Sequence, residues 1–157
     1  MTNVAQERER RGLVTRVKES LRGLRTELAL LNRRVSGRLE LRDGDLDLME
    51  LIARFGPMGP SALARLAGLH PATMTGVLDR LEKGGWLVRD RDPQDRRSVR
   101  LRIRRERVRE IFALYSGMNR ALDELCERYT DDELRVIADF LSRATTEGRT
   151  QTRDLDP

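Results

Sequence analysis

Arginine is the residue type in this chain whose number and spacing could do chemistry. Of the 31 basic residues only Lys18 and Lys83 are lysines. Between residues 86 and 109, ten arginines stand against four acidic residues, a local balance of +6 in a chain of net charge +5. A guanidinium carries a permanent charge and a fork of N–H donors that matches phosphate oxygens. This concentration is the footprint expected of a nucleic-acid-binding element, although a coding bias toward arginine would also explain the total.

The arginines lie on a segment that is typical of a β-hairpin. Residues 86–91 and 98–103 alternate in polarity, and residues 92–97 are rich in Asp, Pro and Gln, as in a turn. Such a wing can lay positive charge along a duplex or place a guanidinium in the narrow minor groove. A surface hairpin joined by salt bridges is the alternative. Asp95 could orient a neighbouring arginine through a bidentate pair, and the candidate DNA-contacting wing residues are Arg91, Asp95, Arg96 and Arg97.

Two short helices joined by a tight turn are predicted immediately before the hairpin. Pro60 suits the first position of one helix, Gly68 ends it, and Pro71 opens the next. The second helix has a clean stripe at spacing i, i+3, i+4, i+7, formed by Met74, Val77, Leu78 and Leu81. Helix, turn, helix and hairpin in this order predict a winged helix-turn-helix.

The opposite face of that second helix has short side chains, which suit entry into a major groove about 12 Å wide. Thr73 and Thr75 could hydrogen-bond bases or phosphates, and backbone N–H groups at Ala72 and Thr73 could meet a phosphate. Ser61 and His70 are further candidate phosphate contacts, and His70 could instead cap the helix. A solvated face of an ordinary packed helix is the alternative, which the basic hairpin disfavours. The candidate recognition-helix residues are Pro71, Ala72, Thr73, Thr75, Gly76 and Arg80.

Long amphipathic helices are predicted on both sides of this segment. A strict heptad seam marks the first, at Val14, Val17, Leu21, Leu24, Leu28, Leu31 and Val35. Packing within the subunit and pairing with a second subunit are both open, and we favour a mixture. Asp47 with Glu50 and Thr130 with Glu133 have the spacing of capping boxes.

We therefore expect a mostly α fold with a small β-hairpin wing, flanked by long N- and C-terminal helices. The expected divisions are an N-terminal dimerisation helix at 8–40, a DNA-binding domain at 46–104, C-terminal helices at 105–147 and a flexible tail at 148–157.

The remaining residues argue against several classes of protein. The chain has no apolar run of 18 residues and no signal-peptide pattern, and its single cysteine indicates a reducing compartment, so we expect a cytoplasmic protein without a membrane partner. His70 is the only histidine, so no metal is expected, and no cofactor motif or catalytic set indicates an enzyme. We expect Cys126 to be an inert, partly buried thiol. Trp86 would plug the junction between recognition helix and wing, with an effector pocket as the alternative.

Three stretches together resemble one family. Residues 59–64 (Gly-Pro-Ser-Ala-Leu-Ala), 74–89 and 92–97 (Asp-Pro-Gln-Asp-Arg-Arg) are similar to the MarR family of bacterial transcription regulators. The match is strongest over 46–103 and looser over 14–146. The resemblance implies a homodimer whose interface is formed by the N-terminal dimerisation helix and by C-terminal dimerisation helices at 105–147. It also implies that this dimer binds a double-stranded, pseudo-palindromic operator and is often released by a small phenolic or lipophilic effector. It also implies that Arg97 enters the minor groove and that Asp95 orients it.

Three positions depart from the family pattern. Residues 104–107 are Arg-Arg-Glu-Arg where the family has a Thr-capped, Gly-containing turn. At the start of the recognition helix, this chain has His70-Pro71-Ala72 where the family commonly has a hydroxyl residue. Gly76 stands where a longer side chain commonly contacts the bases. We therefore expect the protein to recognise DNA mainly through phosphate contacts, wing contacts and the shape of the duplex.

The function expected is a sequence-specific DNA-binding transcriptional regulator, most often a repressor relieved by an effector. The alternatives are a protein–protein module of the same fold that heterodimerises without reading an operator, and a non-specific DNA binder.

Overall fold

The computed structural model describes residues 2–92 and 98–155 and contains six helices and one hairpin in that part of the chain. The helices are α1 (Thr2–Arg38), α2 (Asp45–Phe55), α3 (Pro60–Ala67), α4 (Pro71–Lys83), α5 (Arg105–Cys126) and α6 (Asp131–Asp154). The strands are β1 (Leu87–Arg91) and β2 (Val99–Ile103). The predicted mostly helical fold with a two-stranded wing is confirmed. Two compact units, Met1–Glu50 and Leu51–Pro157, divide the chain.

The first unit is dominated by α1, whose heptad seam has two different environments. Val35 is buried near the C-terminal end of the helix, whereas Val14, Val17, Leu24 and Leu28 are exposed to solvent. The chain leaves the helix through Glu40, which has a positive φ of 55°, and the Leu41 N–H donates to the Ser36 carbonyl. Most of the seam is therefore available for a partner.

Helix α2 begins two residues earlier than its predicted cap. Asp47 was expected at the N-cap, but the helix starts at Asp45, so Asp47 lies inside the first turn. The Asp45 carboxylate is buried and accepts a hydrogen bond from the Arg42 backbone N–H at 2.9 Å. This local turn sets where the helix can begin, which the spacing of Asp47 and Glu50 does not show.

The core of the second unit is formed by α3, α4 and the hairpin. Its buried side chains include Leu63, Met74, Leu78, Leu81, Leu87, Leu101 and Ile103. The two strands pair antiparallel, with Leu87 opposite Ile103 and Arg91 opposite Val99. Helix α3 packs against β2 and α4 packs against β1. The Leu101 N–H also donates to the Met58 carbonyl at 2.8 Å, so the segment before α3 joins the edge of the hairpin.

The two long helices of this unit leave much apolar surface exposed. On α5 the exposed apolar side chains include Val108, Phe112, Leu122 and Leu125, and on α6 they include Val136, Ile137, Phe140 and Leu141. Phe112 and Val136 are 65% and 70% exposed. Isolated exposed apolar residues are common on protein surfaces, but several on one helix face form a patch that marks an interaction site. No helix in the described residues is long and apolar enough to cross a membrane. The exposed apolar faces of α5 and α6 are candidates for contact with protein because contiguous exposed apolar surface marks interaction sites.

The predicted flexible tail from residue 148 is wrong, because α6 continues to Asp154. The predicted tail begins at Gly148, and glycine inside a helix costs about 1 kcal/mol relative to alanine. Two contacts oppose that cost. The Thr152 hydroxyl donates to the Gly148 carbonyl at 2.9 Å, and the Arg149 guanidinium lies 5.5 Å from the centroid of the Phe55 ring. The ring contact comes from a residue more than ninety positions earlier, so the local sequence could not reveal it.

A complete capping box begins α6, as the sequence predicts. The Glu133 N–H donates to the Thr130 hydroxyl at 3.3 Å, while the Glu133 carboxylate accepts from the Thr130 N–H at 2.8 Å and from its hydroxyl at 2.9 Å. The hydrogen bond from the Thr130 backbone, followed by that from its hydroxyl, lowers the pKa of Glu133 below its ordinary value of 4.5.

Glu133→Gln should make thermal stability less dependent on pH in the acid range. The folded state favours the ionised carboxylate, so its contribution is present above pH 4.5 and is lost as the pH falls through the lower folded pKa. Melting temperatures measured from pH 7 to pH 3 should show that the advantage of the natural chain over the variant shrinks below about pH 4.5. Glu147→Gln, on the same helix, is the matched control because Glu147 has no hydrogen bond or ion pair with another described residue. An advantage that grows on acidification would contradict the prediction.

Candidate nucleic-acid interface

Helix α4 is held by its aliphatic stripe and presents its opposite face to solvent. Met74, Leu78 and Leu81 are at most 1% exposed, and Val77 is half-buried beside them. Burying such side chains stabilises the fold by roughly 1.5–3 kcal/mol each. This stripe sets the rotation of the helix about its axis. The exposed face consists of Pro71, Ala72, Thr73, Thr75, Gly76 and Asp79.

The turn between α3 and α4 sets the angle at which α4 begins. Gly68 ends α3 with a left-handed φ of 63°, and the Leu69 N–H donates to the Ala64 carbonyl at 2.9 Å. Only glycine adopts this conformation without strain. His70 then caps α4 through its side chain, as the sequence allowed: its Nδ1 accepts from the Ala72 N–H at 3.3 Å.

The cap changes which groups at this helix start can meet an anion. The Ala72 N–H was expected to be free for a phosphate, but His70 occupies it. Because Nδ1 accepts, the neutral imidazole carries its proton on Nε2 and can donate outward from there. His70 and Ser61 are both exposed. The histidine ring therefore offers a donor in place of the backbone group that it covers.

Thr75 and Arg80 on α4 both already interact within the protein, which limits the contacts that their side chains can make outside it. The Thr75 hydroxyl donates to the Pro71 carbonyl at 3.0 Å, so it faces outward chiefly as an acceptor. Arg80 is half-buried and already interacts within the protein. Gly76 lies in the open, with no atom within 4 Å of the position that a Cβ would occupy. The centre of the face is thus flat and would allow close approach of another surface.

Three of the four strand arginines are ion-paired with acidic side chains. On the outer face of the hairpin Arg100 pairs with Asp92 at 2.6 Å and Arg102 with Asp90 at 2.9 Å, diagonally across the strands. Diagonal neighbours on one face are within reach of long side chains. Two of the four acidic residues counted in this segment, Asp90 and Asp92, are therefore each paired with a particular strand arginine.

The third pair joins the hairpin to α4. Arg89 contacts Asp79 at 2.5 Å and Glu82 at 3.4 Å, and both acids lie on that helix. Exposed pairs of this kind contribute roughly 0–1 kcal/mol each. Their main effect is to align the base of the wing with α4.

The fourth strand arginine has a different position. Arg91 is the last residue of β1, is exposed and forms no ion pair with another described residue. It is the one strand arginine that was predicted as a DNA contact. The other wing candidates, Asp95, Arg96 and Arg97, lie outside the described residues. The Asp92 N–H donates to the Ser98 carbonyl at 2.9 Å, one step beyond the pairing of Arg91 with Val99.

Trp86 fills the junction between α4 and the hairpin, as expected of a plug. The indole is 6% exposed, and the Trp86 carbonyl accepts from the Arg104 N–H at 3.0 Å. The Arg107 guanidinium lies over its ring at 4.3 Å from the centroid. Sequence reasoning missed Arg107 because nothing local relates two residues 21 positions apart.

Cys126 corrects an expectation, since this thiol is exposed rather than partly buried. It ends α5, and no buried residue lies on that helix within the described chain. No group of three or more metal-ligating side chains converges in residues 2–92 and 98–155.

Comparison with known proteins places these features in a family. The MarR family model matches residues 41–99. The HTH-type transcriptional regulator YcgE of Bacillus subtilis is 32% identical over 123 residues, which is 78% of this chain and 80% of that protein. The HTH-type transcriptional repressor YetL of the same organism is 24% identical over 109 residues, covering 66% of this chain and 65% of that protein.

The solved structures agree on the fold. A MarR family protein from Bacillus stearothermophilus has a TM-score of 0.66 at 22% identity, covering 85% of this chain and 94% of that one. At this identity the likeness shows the winged helix-turn-helix fold alone.

Gly84→Ala should destabilise the junction by about 1–3 kcal/mol, the usual range for overpacking. A Cβ at Gly84 would lie 2.9 Å from Trp86 Cδ1, which must move, although the backbone φ of −74° suits any residue. Gly76→Ala is the matched control and should stabilise the helix by about 1 kcal/mol because its Cβ meets nothing. Denaturant unfolding followed by Trp86 fluorescence measures both. Equal effects of the two substitutions would show that Trp86 does not pack against Gly84.

Proposed function

The chain belongs to the MarR family of helix-turn-helix transcriptional regulators, which bind DNA and are not enzymes, and we propose that it is a homodimeric repressor of a pseudo-palindromic operator. The observation that carries the proposal is the pairing of a flat, short-sided α4 face with an adjacent wing whose first strand ends at the exposed Arg91. One element fits a major groove and the other follows the backbone beyond it.

Each candidate residue has a role in this proposal. Pro71, Ala72, Thr73, Thr75 and Gly76 face the floor of the major groove, where short side chains let the helix approach closely. Arg80, Ser61 and His70 contact phosphates on either side. Arg91 and Arg96 follow the backbone, while Arg97 enters the minor groove and is oriented by Asp95, as in the family pattern. Because few long side chains reach base edges, the shape of the groove contributes much of the specificity.

The proposed dimer uses the exposed apolar faces of the long helices. The seam of α1 and the outward faces of α5 and α6 expose large aliphatic and aromatic side chains, such as Leu24, Phe112 and Val136. Contiguous exposed apolar surface is costly in water and marks interaction sites. A second copy would cover these faces and place two α4 helices on one side of a duplex.

Repression and its relief are supported by likeness. YetL, to which this chain is similar, is named a repressor. By the family pattern we propose that a small phenolic or lipophilic effector binds near the junction of the dimerisation helices and the DNA-binding part and releases the operator.

A protein–protein module that heterodimerises without reading DNA is the second candidate. Gly76 removes a base-reading side chain from the middle of α4, and three strand arginines are already paired with acids. Both features would be tolerated in a chain that had lost operator binding.

Selection from random duplex DNA distinguishes these functions. A dimeric operator-binding protein should enrich two inverted half-sites about 10–10.5 base pairs apart, since two-fold symmetry repeats the same contact one helical turn away. A module that only heterodimerises should enrich no motif. A non-specific binder should retain DNA without a consensus. Enrichment of a single half-site without its inverted copy would contradict the proposed dimer.

The salt dependence of DNA binding should distinguish the wing arginine that forms no ion pair with a described residue from those that are ion-paired. Each phosphate contact contributes about 0.9 to the slope of log K against log salt concentration. Arg91→Ala should lower that slope by about 1, whereas Arg102→Ala, the matched control, should leave it nearly unchanged because Asp90 holds its guanidinium. Fluorescence anisotropy with the selected duplex measures both.

Arg97→Ala completes the series and should weaken binding to the selected duplex. Specific binding unaffected by Arg97→Ala would remove the minor-groove role. A larger slope change for Arg102→Ala than for Arg91→Ala would contradict the assignment of the free charge.

A further inference from the structure

Arg107 lies in the first turn of α5 and makes three contacts with its guanidinium. The group stacks on the Trp86 ring at 4.3 Å from the centroid. Its Nη2 donates to the Gly84 carbonyl at 3.3 Å, and its Nη1 pairs with Glu110 at 2.6 Å. We call these four residues the junction clamp. A guanidinium suits this site because one planar group can stack on an indole and donate from its edge at the same time.

The junction clamp ties together the ends of three elements. Gly84 is the C-cap of α4, directly after Lys83, and its carbonyl is one of the electronegative groups at a helix C-terminus. Trp86 comes directly before β1, and Arg107 belongs to α5. Arg107 therefore connects the far end of the proposed recognition helix to a helix whose apolar face is exposed.

The charge on Arg107 is directed into the protein. Its side chain is 35% exposed, its stacking partner is buried, and Glu110 balances its charge. Arg109, two residues on, is exposed and has no ion pair with another described residue. The two arginines differ in contacts but not in charge, so one is a natural control for the other.

We propose that Arg107 is a positioning residue that holds the C-terminal end of α4 at a set angle to α5. This inference rests on the proposed function, since α5 would be held by the second subunit while α4 enters the groove. The angle between them then sets how far apart the two α4 helices lie. Arg107 would control the half-site spacing that the dimer accepts without contacting DNA.

The proposal separates two properties that a DNA-contacting arginine would change together. Loss of a phosphate contact lowers affinity and also lowers the salt slope by about 1. Loss of a positioning contact lowers affinity for the best-spaced operator and leaves the slope unchanged, because the same phosphates are neutralised when binding occurs. It also reduces the penalty for inserting or deleting one base pair between the half-sites.

The experiment compares Arg107→Ala, Arg107→Lys, Glu110→Gln and Arg109→Ala in the full chain. Trp86 is the only tryptophan, so its emission reports on the junction clamp without DNA. Affinity, salt slope and spacing preference are then measured on the duplex enriched by selection and on versions with one base pair added or removed. Arg107→Lys keeps the charge and can either stack or donate to Gly84.

Arg107→Ala should change the Trp86 emission, weaken binding to the best-spaced duplex by about tenfold and flatten the spacing preference with an unchanged salt slope. Arg107→Lys should recover part of the affinity and spacing preference, and Glu110→Gln should show a smaller loss. Arg109→Ala should leave the emission and spacing preference as they are. If Arg107→Ala does not fold, the lysine and Glu110→Gln variants carry the same test.

Two results would overturn the proposal. A salt slope lowered by about 1 in Arg107→Ala would make Arg107 a phosphate contact. A spacing preference that stays sharp in every clamp variant while the emission changes would make the clamp a packing contact only. Failure of the proposed function looks different, because the natural chain itself would then enrich no paired half-sites.

Discussion

Burial of one aliphatic stripe on α4 is the constraint on which the candidate nucleic-acid interface depends. Met74, Leu78 and Leu81 are almost completely removed from solvent, so the helix cannot rotate without exposing them. That burial turns the short residues Ala72, Thr73, Thr75 and Gly76 outward. The left-handed turn at Gly68 and the His70 cap set where the helix begins. A face that could enter a groove is thus a consequence of how the core packs behind it.

The arginines of this chain divide into structural and available groups. Arg89, Arg100 and Arg102 are ion-paired and align the wing with itself and with α4. Arg107 stacks on Trp86 at the junction of α4, the hairpin and α5. Arg91 projects from the end of its strand with no ion pair to another described residue. A count of arginines therefore overstates the number of positive charges available to a ligand, because several guanidinium groups are held in ion pairs and stacking contacts within the protein.

Much of the fold was predictable from short-range patterns, and the errors have specific causes. The stripe of α4, the capping box of Thr130 with Glu133 and the hairpin all follow from spacings of a few residues. The start of α2 was misplaced because the Asp45 carboxylate accepts from the Arg42 N–H. The end of α6 was misplaced because Arg149 lies against the distant Phe55 ring. Cys126 was expected to be partly buried from its residue type alone, whereas the helix turns it to solvent.

The sequence by itself determined the order of elements, the side of each helix that is apolar and the residues that cap α6. These properties depend on hydrogen bonds and side-chain spacings within about one helical turn, so neighbouring residues suffice to set them. The tertiary structure alone decided which arginines are neutralised and which remain available. That outcome depends on the hairpin register and on contacts between residues from 7 to 23 positions apart, such as Arg89 with Glu82 and Arg107 with Gly84. Both arise only after the apolar faces have packed, because a charged side chain pairs with whatever the buried core brings within its reach.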